Sequence, residues 1–265
     1  MKNRKGEGAY IIGICGGPSC GKTTVTHSLI TSSWGGNVTS IKSSDFYKPL
    51  LSTDPEKGLN TQFNEEIKGI EKIDDENIKE QEMAKIVEKI NKDYDFDSPD
   101  AIEYGLLIEG LQKLKNGESF NMPKYNKKTK MRDSKFIKVK PCDVIVVEGH
   151  LIFANEELRK MFDLKVYIDT DDDVRLSRRI LKAMKDAEKD GTVFDIFAFL
   201  EKYEKYVKPA HEKYVETTKK YADIVMPNYG FTIEEISTEE HASNYQPALS
   251  LIVQGIKDKT TPGET

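Results

Sequence analysis

The sequence predicts an α/β protein centred on a parallel, doubly wound sheet, and three observations support that class. Short runs rich in Ile and Val recur along the chain and end in glycine, acidic or turn residues, as buried parallel strands do. Stretches with helical periodicity stand between them, which implies crossover connections. The first apolar run leads straight into "GGPSCGKTT" at residues 16–24, a glycine-rich turn that opens a helix.

In chain order, "YIIGIC" (10–15) is the first strand, and Val25, Leu29 and Ile30 give the following segment helical spacing. Further strands are expected at "NVTSI" (37–41), "DVIVVEG" (143–149), "KVYID" (165–169) and "ADIVMP" (222–227). Residues 52–93 read as a helical insertion, whose end places Met83, Val87 and Ile90 on one stripe of an exposed amphipathic helix. Residues 116–140 read as a hairpin-like arm, with strand alternation in "SKFIKVK". The acidic run Asp171–Asp173 caps a basic helix carrying "RLSRRILKAM", and 175–192 form a lid region. One domain over 10–258 is expected, between flexible tails at 1–9 and 259–265.

A chain of 265 residues, 37% hydrophobic and 32% charged, is a soluble globular composition able to bury a substantial core. The net charge of -5 provides no global basic field, so no nucleic-acid partner is expected. No apolar run approaches the ~18 residues that span a bilayer, so no membrane partner is expected either. The start, basic and then briefly apolar, reads as a surface tail before a strand. Cys15, Cys20 and Cys142 are odd in number and lack zinc spacing, and reduced thiols suit a cytoplasmic protein.

The chemistry begins at Gly16–Thr23, which fit G-x-x-x-x-G-K-[ST], with Thr24 next on the helix. Gly16, Gly17 and Gly21 let backbone N–H groups converge on phosphate, while Pro18, Ser19 and Cys20 complete the loop. Lys22 supplies a point charge for the β- and γ-phosphates, and Thr23 a hydroxyl for Mg²⁺. Glu148 ends an apolar strand at the carboxyl edge of the sheet, so it either reaches Mg²⁺, directly or through water, or is a solvated strand end. Asp45 in "SSDFYKPL" either takes a proton from an attacking hydroxyl or caps a turn. The set Arg175, Arg178, Arg179, Lys182 and Lys185 is either a lid over a triphosphate or a solvated helix face. A GTPase switch is disfavoured: there is no N-K-x-D motif, and the strand ends in Glu148 rather than in a D-x-x-G loop. The histidines at 27, 150, 211 and 241 show neither triad nor metal spacing and read as structural.

From about residue 10 to 228 the chain resembles the uridine–cytidine kinase family, within the P-loop group that includes phosphoribulokinases and nicotinamide riboside kinases. The resemblance rests on "GGPSCGKTT", "SSDFYKPL", "FDSPDAIEYGLL", "MPKYNKKTKMR", "DVIVVEGHLIF", "YIDTDDDVRLSRRIL" and "YVKPAHEKYVETTKKYADIVMP", in that order. It implies a three-layer P-loop kinase fold with a β-hairpin-like acceptor arm and a helical lid. It further implies ATP (or GTP) and Mg²⁺ as cofactors, and transfer to the 5′-hydroxyl of a pyrimidine nucleoside. By the same resemblance Asp97 would hold ribose hydroxyls, and Phe96 would lie against the nucleoside. Tyr125, Lys130 and Arg132 would line the acceptor site, and Arg179 and Lys182 would meet donor or sugar. Family members are often tetramers, so a homo-oligomer is an expectation.

This sequence departs from the family pattern at three places. Ser44 stands where an aspartate is usual, so Asp45 can serve as base only if the chain bends there, because strand neighbours face opposite ways. Lys130 replaces a histidine and Lys127 an aromatic, which opens the reading of an acidic or phosphorylated acceptor. Lys182 stands at a usual arginine position and cannot make a bidentate phosphate contact. A nucleotide-binding homologue with weak catalysis therefore remains a competing reading.

Overall fold

The computed structural model describes residues 8–32, 37–50, 64–127, 129–228 and 246–260. The chain runs β1 (Tyr10–Gly16), α1 (Lys22–Thr31), β2 (Val38–Lys42) and a 3₁₀ turn at Ser43–Phe46. It continues as α2 (Asn64–Glu71), α3 (Glu76–Asp93), a 3₁₀ turn at Pro99–Ala101 and α4 (Tyr104–Lys115). Four short strands come next: β3 (Phe120–Met122), β4 (Tyr125–Asn126), β5 (Met131–Arg132) and β6 (Ile137–Val139). Then come β7 (Val144–Glu148), α5 (Glu156–Met161), β8 (Leu164–Asp169), α6 (Asp172–Asp190) and α7 (Ile196–Lys202). π-helical turns at Tyr203–Val207 and His211–Val215 flank the single turn α8 (Lys208–Ala210), and a 3₁₀ turn at Glu216–Tyr221 leads on to β9 (Ile224–Pro227) and α9 (Gln246–Thr260).

Five of these strands form one parallel sheet in the order β2-β7-β1-β8-β9. They are the five strands expected from the sequence. Alternation along β1 explains the layering. Ile11 and Cys15 join a core with Leu107, Leu111, Leu158 and Phe162, from α4, α5 and the residue after it. Ile12 and Ile14 join the opposite core with Val25 and Leu29 of α1 and Leu249, Ile252 and Ile256 of α9. Helices therefore cover both faces, the arrangement that makes all-parallel strands apolar throughout. Glu148 pairs with Ile14 on one side and Lys42 on the other, a register in which β2 and β7 end together and β1 runs two residues further.

Helices α2 and α3 share a small separate core of Leu50, Ile67, Ile70 and Ile86, against which Met83, Val87, Phe96 and Met131 pack. Met83 and Val87 of the expected stripe thus pack toward α2 beside Ile86, which the stripe did not include, while the side chain of Ile90 lies outside the described residues. The arm is two antiparallel ladders, β3 with β6 and β4 with β5. Ala9, expected in a tail, is instead buried, because β1 carries it into the sheet's core. Residues 1–7, 51–63 and 261–265, parts of the expected tails and insertion, lie outside the described residues. Among the described residues no helix is long and apolar enough to cross a membrane.

Gly149 holds the end of β7 against the 3₁₀ turn after β2. Its N–H donates to the Ile14 carbonyl at 3.1 Å. A Cβ there would stand 1.9 Å from Ser43 Oγ and 2.9 Å from Ile152 Cγ2. Gly149→Ala is expected to cost about 1–3 kcal/mol through overpacking, read as a lower urea midpoint. An unchanged midpoint would show that the Ser43 turn yields freely.

Candidate active site

The loop after β1 takes its shape from backbone conformations that favour glycine: Gly16 and Gly21 have φ of 144° and 100°. Ser19 is also left-handed, at 63°. The loop is braced from behind. The Cys20 carbonyl accepts hydrogen bonds from Thr170 Oγ1 at 3.2 Å and Asn228 Nδ2 at 2.7 Å, both buried. Asn228 stands so close to Gly21 that a Cβ there would meet Nδ2 at 2.4 Å. Arg175 is buried beside Gly17, donating from Nε to the Thr170 carbonyl at 3.1 Å and pairing with Asp172. Arg175 thus fits neither reading of the basic helix, a lid or a solvated face: it is part of the loop's foundation. Arg178 does reach the loop, donating to the Ser19 carbonyl at 3.4 Å.

Lys22 Nζ donates to the carbonyls of Gly16 at 2.9 Å and Gly17 at 2.7 Å, so the ammonium lies over the loop. Thr23 Oγ1 donates to Glu148 Oε1 at 3.1 Å, and Lys42 Nζ is 3.9 Å from the same oxygen. Glu148 is 5% exposed, and its Oε2 is buried without a hydrogen-bond partner among the described residues. An orphaned carboxylate oxygen beside a threonine hydroxyl fits Mg²⁺, which typically takes one or two protein ligands and completes its shell with phosphate and water. Thr24 follows in the first turn of α1.

The chain does bend at Asp45. β2 stops at Lys42, and Ser43–Phe46 form a 3₁₀ turn, which removes the strand alternation that would have turned Asp45 away from the Ser44 direction. The turn is fixed to the segment after α3: Glu103 N donates to the Phe46 carbonyl at 2.9 Å, and Lys48 N to the Ala101 carbonyl at 2.8 Å. Burial raises the Asp45 carboxyl above its ordinary value, against the Tyr125 N–H, Lys42, Lys127 and Lys124. Lys127 ties the two sides of the site together. Its ammonium is lowered by burial and then by Lys182 and Lys42, and raised by Asp45 and Glu148.

Asp97 lies beyond this group. His150 Nε2 is 3.4 Å from Asp97 Oδ1, with the side chains 17% and 18% exposed. Burial pushes the Asp97 carboxyl up, but His150, Arg179 and Lys130 outweigh it and hold the group below its ordinary value. Lys130, left-handed at φ 57°, places Nζ 5.0 Å from the Phe96 ring centroid. Burial, Lys202 and Lys127 hold its ammonium below the ordinary value. Tyr125 packs 5.4 Å from the Tyr47 ring and its hydroxyl is buried without a hydrogen-bond partner among the described residues. Arg179 stands over Phe199 at 5.9 Å, and Lys182 is exposed.

Arg132 departs from the expected acceptor contact. Its guanidinium pairs with Glu103 at 2.6 Å and donates to the carbonyls of Tyr47 at 3.0 Å and Phe46 at 3.3 Å. A fork with all these acceptors anchors the arm to the Asp45 turn and is not free for a ligand. Sequence reasoning also missed Lys42, Asn228, Thr170 and the pairing of His150. Lys42 and His150 adjoin recognised motifs, at the ends of strands whose edge was already singled out. Asn228 and Thr170 had no signal beyond following a strand.

The sequence profile of the Phosphoribulokinase / Uridine kinase family matches residues 11–233. A uridine kinase of Clostridium novyi is 33% identical over 220 residues, 83% of this chain and 88% of that protein. One from Halalkalibacterium halodurans is 34% identical over 226 residues, 85% of this chain and 89% of its own. Uridine kinase-like protein 4 of Arabidopsis thaliana is 34% identical over 250 residues, which are 94% of this chain but only 42% of that protein. The chain thus spans about two fifths of such plant relatives. Among solved structures, a D-glycerate 3-kinase from Cryptococcus neoformans superposes with a TM-score of 0.56 at 15% identity, covering 85% of this chain and 88% of that one. Phosphoribulokinase from Rhodobacter spheroides gives 0.52 at 12% identity, covering 89% and 75%. These two show the shared fold.

The two aspartates are expected to respond oppositely to neutralisation. A raised carboxyl costs stability once ionised, so Asp45→Asn should raise the thermal midpoint at pH 7, a gain that shrinks as pH falls through the raised folded-state value and is gone below the unfolded value near pH ~4. A lowered carboxyl contributes stability above its unfolded value, so Asp97→Asn should lower the midpoint at pH 7. Thermal unfolding at several pH values checks both signs, and equal shifts would contradict the assigned environments.

Proposed function

Because this chain belongs to the phosphoribulokinase/uridine kinase family, we propose that it transfers the γ-phosphate of ATP (or GTP) to the 5′-hydroxyl of a pyrimidine nucleoside, uridine or cytidine. The observation that carries the transfer chemistry is the Thr23–Glu148 hydrogen bond at the mouth of the phosphate loop, on the same sheet edge as Asp45. The names of the bacterial relatives support the choice of acceptor.

In this reading the N–H groups of Gly16–Gly21 cradle phosphate, and Lys22 swings from the loop carbonyls to the β- and γ-oxygens. Thr23 and Glu148 would hold Mg²⁺, which would supply positive charge to offset the negative charge of the phosphates. Asp45, its carboxyl raised by burial, accepts the proton of the acceptor hydroxyl. Arg179 and Lys182 of α6 offset negative charge in the transferring group. Asp97 accepts hydrogen bonds from ribose hydroxyls, and Phe96 and Tyr125 bound the base side. A cytoplasmic enzyme of nucleoside salvage fits this chemistry.

A second reading has its own support. Lys127 and Lys130 are held below their ordinary values partly by neighbouring cations, and an anionic acceptor such as a sugar phosphate or organic acid would relieve that repulsion. The bend at Asp45 favours either kinase over a protein that binds nucleotide without transfer.

The test is ADP release with Mg·ATP across uridine, cytidine, purine nucleosides, nicotinamide riboside, ribulose 5-phosphate and glycerate. Turnover with uridine or cytidine is the expected result. Turnover confined to ribulose 5-phosphate or glycerate would establish the second reading, and silence with ATP still bound would remove both. Lys22→Ala should abolish acceptor-dependent release while leaving the unfolding midpoint near that of the parent chain.

Asp45→Asn should slow turnover roughly 10²-fold or more if Asp45 is the base. Single-turnover measurement isolates this step, and a near-parental rate would take the base role away from Asp45.

A further inference from the structure

Three side chains bear on Asp97, and they come from different parts of the molecule. Arg179 belongs to the helix α6, and Lys130 to the loop between the arm strands β4 and β5. His150 alone of the three follows a strand of the central sheet, two residues beyond Glu148. Its backbone is fixed there: Gly149 N donates to the Ile14 carbonyl at 3.1 Å, and the His150 carbonyl accepts from Cys15 Sγ at 3.4 Å. The aspartate's own backbone is pinned as well, since Asp97 N donates to Asp95 Oδ1 at 2.9 Å. What remains to be set is the plane of the carboxylate, and His150 Nε2, a buried atom with no hydrogen-bond partner among the described residues, lies 3.4 Å from Oδ1, where a small closure would set it.

We infer that His150 is a positioning residue for the acceptor: by holding Asp97 Oδ1 from the sheet edge, it orients that carboxylate toward the acceptor's hydroxyls. The inference rests on the reading of Asp97 as an acceptor ligand. It has a mechanical content that a packing role lacks. Arg179 and Lys130 can follow movements of α6 and the arm, while His150 keeps Asp97 in register with the phosphate loop, because Gly149 ties it to β1. The same sheet edge then sets both the donor side, through Glu148, and the acceptor side, through His150. Orientation of this kind governs binding and alignment of the acceptor more than the chemistry of transfer.

The experiment is steady-state kinetics with uridine and Mg·ATP for the parent chain, His150→Ala, His150→Asn, Asp97→Asn and the double variant His150→Ala with Asp97→Asn. If His150 closes onto Asp97 when the acceptor binds, losing that hydrogen bond to a charged group predicts a roughly 10- to 100-fold rise in the uridine KM for His150→Ala. The kcat and the ATP KM should stay within about threefold. His150→Asn keeps an N–H donor and should recover most of the loss; it is the variant to read if His150→Ala loses its fold. The double variant should be no worse than Asp97→Asn alone, because the histidine acts through the aspartate. Equal rises in both KM values, additive losses in the double variant, or no change in the uridine KM would overturn the inference. If Asp97→Asn itself leaves the uridine KM unchanged, the acceptor reading of Asp97 fails, and the inference falls with it. If Asp97→Asn is defective and His150→Ala is normal, only the role of His150 falls.

Discussion

The site depends on one buried acceptor, the carbonyl of Cys20. A loop that must point its N–H groups outward turns carbonyls inward, and a buried carbonyl left alone costs about 1–3 kcal/mol. Thr170 and Asn228 satisfy it from the ends of β8 and β9, so the turn after β1 is tied to two neighbouring strands. Gly21 is small because Asn228 occupies the space of its side chain. From this fixed point the first turn of α1 delivers Lys22 and Thr23 to the sheet edge, where Glu148 stands in register with Ile14. Arg175 adds a second brace beneath Gly17. The phosphate loop is therefore rigid by construction, not simply glycine-rich.

Around that rigid edge the charges are arranged by environment. Asp45 and Asp97 are both carboxylates near lysines, yet burial dominates the first and cationic partners the second, so their proton affinities move apart. Such a separation suits one group to take a proton and the other to stay ionised and hold a ligand. The cations are graded too. Lys42 stands 3.9 Å from Glu148, while Lys127 is drawn toward Asp45 and Glu148 and repelled by Lys182. These exposed cations at the sheet edge complement the phosphates of the proposed donor.

All five strands of the sheet were legible in the sequence, the central β1 and β7 most plainly, because strands buried on both faces read as continuous apolar runs. The phosphate loop was legible because its backbone conformations leave glycine at fixed spacing. The bend at Asp45 was not, since "SSDFY" fits a strand end and a 3₁₀ turn equally, and the choice is made by hydrogen bonds to Ala101 and Glu103 far along the chain. Arg132 and Arg175 misled for one reason: a sequence shows a positive charge but not the partners that consume it. His150 was hidden by the converse. Its spacing matches no motif, and its meaning arises only where the fold brings Asp97 beside it.

The small core between α2 and α3 has a consequence of its own. Phe96 and Met131, which belong to the acceptor side and the arm, pack against Leu50, Ile67, Ile70 and Ile86, outside the two large cores of the sheet. With this few buried side chains among the described residues, the cluster forms a cooperative unit of lower local stability than the sheet it borders. Opening that unit would loosen the acceptor pocket while leaving the nucleotide loop intact. Amide hydrogen exchange would then be fast on the acceptor side and slow beneath the phosphates, two halves of one catalytic cleft breathing on separate clocks.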